Sequence, residues 1–277
     1  MKVLKAIFNF YINSSVHVAL AVYSMTWVTI IQFELSYDTN ALYFILLASI
    51  SGYNFVKYFG LTKFHHRSLA NWLRVIQVFS AIAFILMSYY FFQLKSNTCI
   101  LILVLGLVTF LYAIPLIPKK YLFDEHQNLR EVGGVKVYII GLVWSLVTVL
   151  IPLLNAEVEF SSDVVITVFQ RFCLVIALMI PFEIRDLKYD SLKLSTIPQK
   201  IGLKKTKIMG MLLLLVFLFL EFYKNELVYS SVISALIITF LMFLFLIFSS
   251  EKQSKYYSAF WVESLPIIWL VILLLIT

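Results

Sequence analysis

Three carboxylates lie close together at the end of a long apolar run. The segment PFEIRDLKYD, residues 181–190, contains Glu183, Asp186 and Asp190 and directly follows VVITVFQRFCLVIALMI. If the helix continues through Asp190, the three side chains fall within about 60° of arc on one helix face. Carboxylates at this spacing suit Mg²⁺, which commonly bridges protein carboxylates to a phosphate. A salt-bridged helix end and a solvated loop are the two alternatives.

Cationic and polar side chains near the ends of two other apolar runs could bind that phosphate. In LYAIPLIPKK, Tyr112 precedes two prolines, and Lys119 and Lys120 follow them. A helix end kinked by proline would present the paired lysines to a diphosphate, or let them extend to lipid phosphates instead. Asn54 and Lys57 are three residues apart and so share a helix face. Because Lys57 still lies within an apolar run, we expect it to be paired or to extend toward the membrane surface.

The composition of the chain defines the solvent around these residues. The chain has 277 residues, of which 62% are hydrophobic and 13% charged, and its mean hydropathy is +0.94. Soluble domains carry roughly 25% charged residues, and only helices or closed barrels span a bilayer. The apolar runs are continuous, so we predict an all-α, polytopic membrane protein with a single domain, residues 1–277. Nine transmembrane helices are expected, near residues 10–33, 41–60, 73–93, 98–117, 136–155, 163–183, 207–222, 228–248 and 256–277.

Charged residues are distributed unevenly between the two sides of this predicted bundle. Lys and Arg collect before the first span and in the connections 2–3, 4–5, 6–7 and 8–9, while the opposite loops carry Glu34, Asp38, Glu157, Glu159 and Asp163. This is the positive-inside pattern, which predicts a cytoplasmic N-terminus. The net charge of +7 then reflects topology and contact with anionic lipid, and nucleic acid is not an expected partner. We expect a multi-pass integral protein of a bacterial cytoplasmic membrane.

The span order and three local segments resemble a known family. EIRDLKYD followed by TIPQKIG, together with YAIPLIPKK, is similar to the second Asp-rich motif and the Tyr–Lys signature of the UbiA family of intramembrane aromatic prenyltransferases. One Asp of that motif is replaced here by Glu183. The resemblance implies a UbiA-like bundle in which Glu183, Asp186 and Asp190 bind Mg²⁺. It also implies that a prenyl diphosphate is bound by Asn54, Tyr112, Lys119 and Lys120.

The first Asp-rich motif of that family is not present. It would fall at NFVKYFGLT, where Asn54 matches but Phe55, Tyr58 and Thr62 replace the three carboxylates. Half of the expected metal ligands are therefore missing, and one Mg²⁺ site is expected instead of two. Lys57 lies within the altered motif, and we hypothesise that its ammonium contacts the diphosphate directly as a point charge.

The resemblance implies a chemical reaction as well as a fold. The protein would transfer an isoprenoid chain from a prenyl diphosphate to a hydrophobic acceptor, either an aromatic compound or a lipid-quinone precursor, with a cation polarising the leaving group. One alternative is a catalytically inactive UbiA-like protein that binds lipid or a partner protein. A transporter is the other.

Two charged residues lie deep inside predicted spans. Arg171 is in span six and Glu263 in span nine, and charges within a membrane usually pair or mark functional paths. Their depths differ by roughly 8 Å at a rise of 1.5 Å per residue, which a long arginine partly bridges. We therefore predict an ion pair between the two helices, with a position of Arg171 beside the substrate as the alternative.

Overall fold

A computed structural model describes residues 2–58, 71–114, 134–188 and 196–277, and all regular structure within these ranges is helical. The α-helices are α1 (Lys2–Asn13), α2 (Val16–Gln32), α3 (Thr39–Tyr58), α4 (Asn71–Phe91), α5 (Ser96–Ala113), α6 (Val135–Ser145), α7 (Ile151–Asn155), α8 (Ser162–Asp186), α9 (Ile197–Ile201), α10 (Leu203–Glu221), α11 (Tyr229–Phe248) and α12 (Leu265–Ile276). Two π-helical turns, Leu146–Leu150 and Tyr257–Val262, precede α7 and α12.

The helical segments lie where the apolar runs predict them, and their length and polarity decide how many could cross a membrane. Among the described residues, six helical segments are long and apolar enough, and the bent pair α1 and α2 would make a seventh. The multi-pass all-α prediction is therefore confirmed, whereas the count of nine spans and the orientation of the N-terminus stay predictions. Two further helices, α3 and α10, have 20 and 19 residues. Polar side chains run through α3, and Lys204, Lys205 and Lys207 begin α10.

The chain bends sharply between α1 and α2. The axes of α1 and α2 differ by 54°, and Ser15 between them has a φ of 62°, which is uncommon for a residue with a side chain. A break inside an apolar environment leaves backbone groups that need partners. Asn54 of α3 binds two groups at the break: its Nδ2 donates to the Ser14 carbonyl at 2.9 Å, and its Oδ1 accepts from Ser15 Oγ at 2.8 Å. The second Nδ2 hydrogen bond goes to Ser80 Oγ of α4 at 2.8 Å.

The centre of the bundle is formed by α2 and α8. Helix α2 packs against α3 and α12, whereas α8 packs against α6 and α10. Met25 of α2, Ile180 of α8, Phe217 of α10 and Trp269 of α12 are completely or almost completely buried in one shared core. This packing places the C-terminal end of α8 beside the break between α1 and α2, where the polar groups described below collect.

The π-helical turn Tyr257–Val262 lies beside the same break. Single π-helical turns within α-helices are frequent at functional sites. The carbonyl of Phe260 accepts hydrogen bonds from Ser264 Oγ at 2.6 Å and from His17 Nε2 at 2.9 Å. Because His17 Nε2 donates, its Nδ1 accepts from the Tyr11 hydroxyl at 2.7 Å. These contacts join the beginning and the end of the chain.

Candidate functional site

A cavity of about 330 Å³ opens where α1, α2, α3, α8 and the π-turn meet. Its apolar wall is formed by Ile12, Val18, Phe182 and Ala259. The rest of its lining is polar or charged and comprises Asn9, Asn13, Ser15, Tyr53, Lys57, Arg185, Lys255, Tyr256 and Glu263. The cavity lies at the end of the bundle that the charge pattern predicts to be cytoplasmic. It combines a cationic mouth with an apolar wall, which suits an amphipathic anion.

Arg185 is held rigidly at the end of α8. Its Nε and Nη2 donate to the two carboxylate oxygens of Asp186 at 2.7 and 3.1 Å, and its Nη1 donates to Ser258 Oγ at 3.1 Å. The guanidinium also lies over the ring of Phe182, 5.3 Å from its centre. A planar guanidinium fixed in this way keeps further N–H groups available for a phosphate.

Two lysines reach the cavity from different elements. Lys57, the second-last residue of α3, donates from Nζ to the Asn13 carbonyl at 3.1 Å, and its ammonium lies 5.4 Å from the ring centre of Tyr58. Lys255 precedes the π-turn and lies 4.7 Å from the ring centre of Tyr256. Among the described residues neither ammonium has a carboxylate within 4.0 Å. The cavity therefore offers positive charge that an anionic ligand could neutralise.

Glu263 is the one carboxylate among the described residues that line this cavity. It follows the π-turn and is partly buried, and no ion pair or side-chain hydrogen bond joins it to another described residue. Lys57 and Arg185 are close enough for their charges to act on it. Glu263 therefore lies beside the cations without being bound to either of them.

The carboxylates of the predicted metal site have protein partners instead. Glu183 is almost completely buried, and Lys136 Nζ lies 3.1 Å from its Oε1. Asp186 is held by Arg185, and α8 ends at Asp186. Asp190 itself lies outside the described residues. In the part of the chain that the structure describes, no group of three or more His, Cys, Asp and Glu side chains could bind a metal ion. The Mg²⁺ prediction stays untested; of its three carboxylates, the two that the structure describes, Glu183 and Asp186, are paired with Lys136 and Arg185.

Other predicted diphosphate ligands have different surroundings. Asn54 is buried and does not line the cavity, because its amide stabilises the break between α1 and α2. Tyr112 is buried near the end of α5 and also does not line it. Lys119 and Lys120 lie outside the described residues. Of the predicted anion ligands on described residues, Lys57 is the one that the fold places in the cavity.

The predicted ion pair between Arg171 and Glu263 does not form, because Arg171 has other partners. Arg171 is fully buried on α8; its Nη1 donates to the Met25 carbonyl at 3.2 Å and its Nη2 to Thr29 Oγ1 at 3.1 Å. Its guanidinium lies over Trp269, 4.7 Å from the ring centre. The carboxylate whose charge acts on Arg171 is Glu221. The membrane depth estimated from the sequence misidentified the partner of Arg171, because depth does not show which helices are neighbours.

Glu221 completes a buried polar network at the opposite end of the bundle. Its Oε2 accepts from Gln170 Nε2 and from Lys224 Nζ, both at 2.7 Å. Burial lowers the pKa of Lys224 in the loop after α10, and the charge of Glu221 opposes that shift. This network is distant in sequence from the cavity residues and contributes to the packing of α8 against α10.

Sequence reasoning missed several residues of the cavity. Arg185 lies within EIRDLKYD but was not among the predicted ligands, and Lys255 lies in the short connection SSEKQSKYY, which carries no motif. The hydrogen bond from the Tyr256 hydroxyl to Asn9 Oδ1 at 2.7 Å joins residues 247 positions apart. No local pattern encodes such a contact. Lys136 was detectable only as a lysine at the beginning of a predicted span.

Comparison with known proteins identifies the fold. No protein-family model and no curated protein sequence matches the chain. A solved apo structure of a UbiA homologue from Aeropyrum pernix K1 is similar, with a TM-score of 0.64 and 12% identity over 93% of this chain and 96% of that one. A structure of digeranylgeranylglyceryl phosphate synthase is also similar, with a TM-score of 0.57 and 17% identity over 99% of this chain and 97% of that one. At these identities the likeness shows the fold, and the chain is therefore a multi-pass membrane protein with a UbiA-like fold.

Proposed function

We propose that this chain is a prenyltransferase-like membrane protein that binds a prenyl diphosphate in the cavity between α3, α8 and the π-turn. The observation that carries the proposal is the convergence of Lys57, Arg185 and Lys255 on one cavity of a UbiA-like bundle. These three cations belong to three different elements, so the tertiary fold and not a local sequence run brings them together.

The three cations suit a diphosphate head group because one of them is fixed in place and the other two can adjust to the ligand. Arg185 is a fixed fork, held by Asp186 and Ser258, whereas Lys57 and Lys255 are point charges on flexible stems. The apolar wall formed by Ile12, Val18 and Phe182 would contact the first carbon atoms of the isoprenoid chain. One site would thus bind both the charged and the apolar part of the donor.

The proposed reaction requires a leaving group and a proton acceptor. The bond between the allylic carbon and the diphosphate oxygen breaks, and the diphosphate leaves with the electron pair, stabilised by the three cations. The acceptor then forms a bond to the allylic carbon and loses a proton. Glu263 lines the same cavity and forms no ion pair with another described residue, so we assign it the acceptance of that proton.

Binding and turnover can be tested on the purified full-length protein in detergent. A ligand that binds only the folded form raises the melting temperature Tm. We expect a higher Tm with farnesyl or geranylgeranyl diphosphate, and a smaller shift with the corresponding prenyl alcohol, which lacks the diphosphate. Radiolabelled donor should then label an acceptor from a panel of aromatic compounds, quinone precursors and glyceryl phosphates. The absence of any Tm shift with all prenyl diphosphates would contradict the proposal.

A non-catalytic lipid-binding protein is the second candidate. It is favoured by the pairing of Glu183 with Lys136 and of Asp186 with Arg185, which removes two carboxylates from metal chemistry. On this alternative, the cavity binds a prenyl diphosphate or another lipid phosphate but does not transfer the chain. A Tm shift without labelled product across the acceptor panel would favour it.

A further inference from the structure

We propose that the cavity binds its diphosphate through Lys57, Arg185 and Lys255 directly, without a divalent metal ion. This inference rests on the proposed function and names how its donor is recognised. Two of the carboxylates predicted to hold a metal, Glu183 and Asp186, face protein cations, while the cavity that would hold the diphosphate is itself cationic.

The α8 carboxylates would have to give up existing partners to bind a metal. Glu183 is almost fully buried against Lys136, and a metal ion there would have to displace that ammonium. Both oxygens of Asp186 accept from Arg185, so a metal would also compete with a bidentate guanidinium. Breaking a buried pair leaves an uncompensated charge, which is strongly unfavourable. The two described carboxylates are therefore stable as ion-pair partners.

The α3 side of the cavity offers a cation and no carboxylate. The sequence of α3 contains no Asp or Glu. Phe55 stacks on Phe110, with parallel rings 6.2 Å apart, and the Tyr58 hydroxyl donates to the Asn13 carbonyl at 2.7 Å. Lys57 lies between these two residues and reaches the cavity. A metal ion on this wall would have no anionic ligand from α3.

Glu263 alone does not make a competing metal site. Mg²⁺ needs only one or two carboxylates when a phosphate completes its shell, so Glu263 has to be considered. The charges that act on Glu263 are those of Lys57 and Arg185, and both repel a divalent cation. With these cations present, a diphosphate can be neutralised by the protein's own side chains.

The test compares donor binding with and without metal. Calorimetry on the full-length protein would measure the Kd of geranylgeranyl diphosphate in excess EDTA and in Mg²⁺. We expect the two Kd values to agree within about threefold, and Lys57→Met and Lys255→Met each to weaken binding about tenfold in EDTA. Lys252→Met is the control, since Lys252 is an exposed lysine near Lys255 that does not line the cavity. Lys57→Arg, which keeps the charge, should retain most of the affinity.

Each outcome separates this inference from the function on which it rests. Binding that requires Mg²⁺ would overturn metal-free recognition and leave the proposed function standing. Binding in EDTA that both lysine variants retain in full, with Tm values close to the native one, would also overturn it. An absence of binding under both conditions would instead contradict the proposed function.

Discussion

Lys136 Nζ lies 3.1 Å from Glu183 Oε1, and the side chain of Glu183 is only 2% exposed. This contact joins the first turn of α6 to the last turns of α8. It also changes the interpretation of the segment PFEIRDLKYD, because the carboxylate that begins the motif has a cation from the protein itself. Glu183 is thus placed to stabilise the end of α8, from which Arg185 reaches the cavity.

The first prediction concerns this pair. Glu183→Gln should lower the free energy of unfolding by about 2–3 kcal/mol, because it leaves the partly buried Lys136 without its anion. Lys136→Met should cost a similar amount, and the double variant should cost clearly less than the sum of the two. Unfolding in mixed micelles would measure all three. If Glu183 were chiefly a metal ligand, Glu183→Gln would instead abolish metal-dependent activity while leaving stability unchanged.

The second prediction separates binding from chemistry at Glu263. Glu263→Gln removes a negative charge beside the proposed diphosphate, so affinity for the donor should stay equal or rise. Transfer should fall by about 100-fold, because the proton acceptor is lost. Single-turnover labelling and the Tm shift with donor would measure the two effects. Glu251→Gln, in the exposed loop after α11, is the matched control. Unchanged transfer by Glu263→Gln would show that another group takes the proton.

The sequence predicted the helices better than it predicted their contacts. Continuous apolar runs mark a membrane helix because burial in lipid requires about 20 apolar residues, and this requirement is local. The break at Ser14–Ser15 and the π-turn Tyr257–Val262 were not predicted, since neither carries a proline or a glycine. Both depend on partners from elsewhere in the fold, Asn54 for the break and His17 for the π-turn.

The candidate site was predictable to a smaller extent. Lys57 could be identified because a lysine inside an apolar run is costly and needs an explanation. Arg185 and Lys255 could not, because their importance lies in a shared cavity formed by distant segments. The ion pair expected for Arg171 was wrong for the same reason. Depth along the membrane can be estimated from a sequence, but the order of helices around a bundle cannot.

The third prediction tests the partner of Arg171. In double-mutant cycles with neutral glutamine, Arg171 and Glu221 should show a coupling energy of about 1 kcal/mol, because their charges act on each other through a buried region. Arg171 and Glu263 should show less than about 0.5 kcal/mol, as expected for residues without a shared partner. Unfolding of the single and double variants in mixed micelles supplies both values. A larger coupling with Glu263 would restore the ion pair that the structure lacks.

The fourth prediction concerns the packing that holds α8 in place. Gly210 of α10 faces α8 and α11, and a Cβ atom there would lie 2.7 Å from Ile180 Cδ1 and 3.0 Å from Leu246 Cδ1. Because Ile180 and Leu246 are completely buried, neither side chain can easily move away. Gly210→Ala should therefore lower the free energy of unfolding by about 1–3 kcal/mol, the usual cost of overpacking a core.

A matched pair of variants makes this test specific. Gly106→Ala on α5 meets nothing within 4 Å, so it should leave stability unchanged or raise it by up to about 1 kcal/mol through helix propensity. Ile180→Val removes Cδ1, the atom nearest to the added methyl group, and should recover part of the stability lost in Gly210→Ala. Because α8 carries Arg185 into the cavity, Gly210→Ala should also weaken binding of a prenyl diphosphate, and Ile180→Val should restore it. Equal stability of the Gly210→Ala and Gly106→Ala proteins would contradict the close approach of α8, α10 and α11.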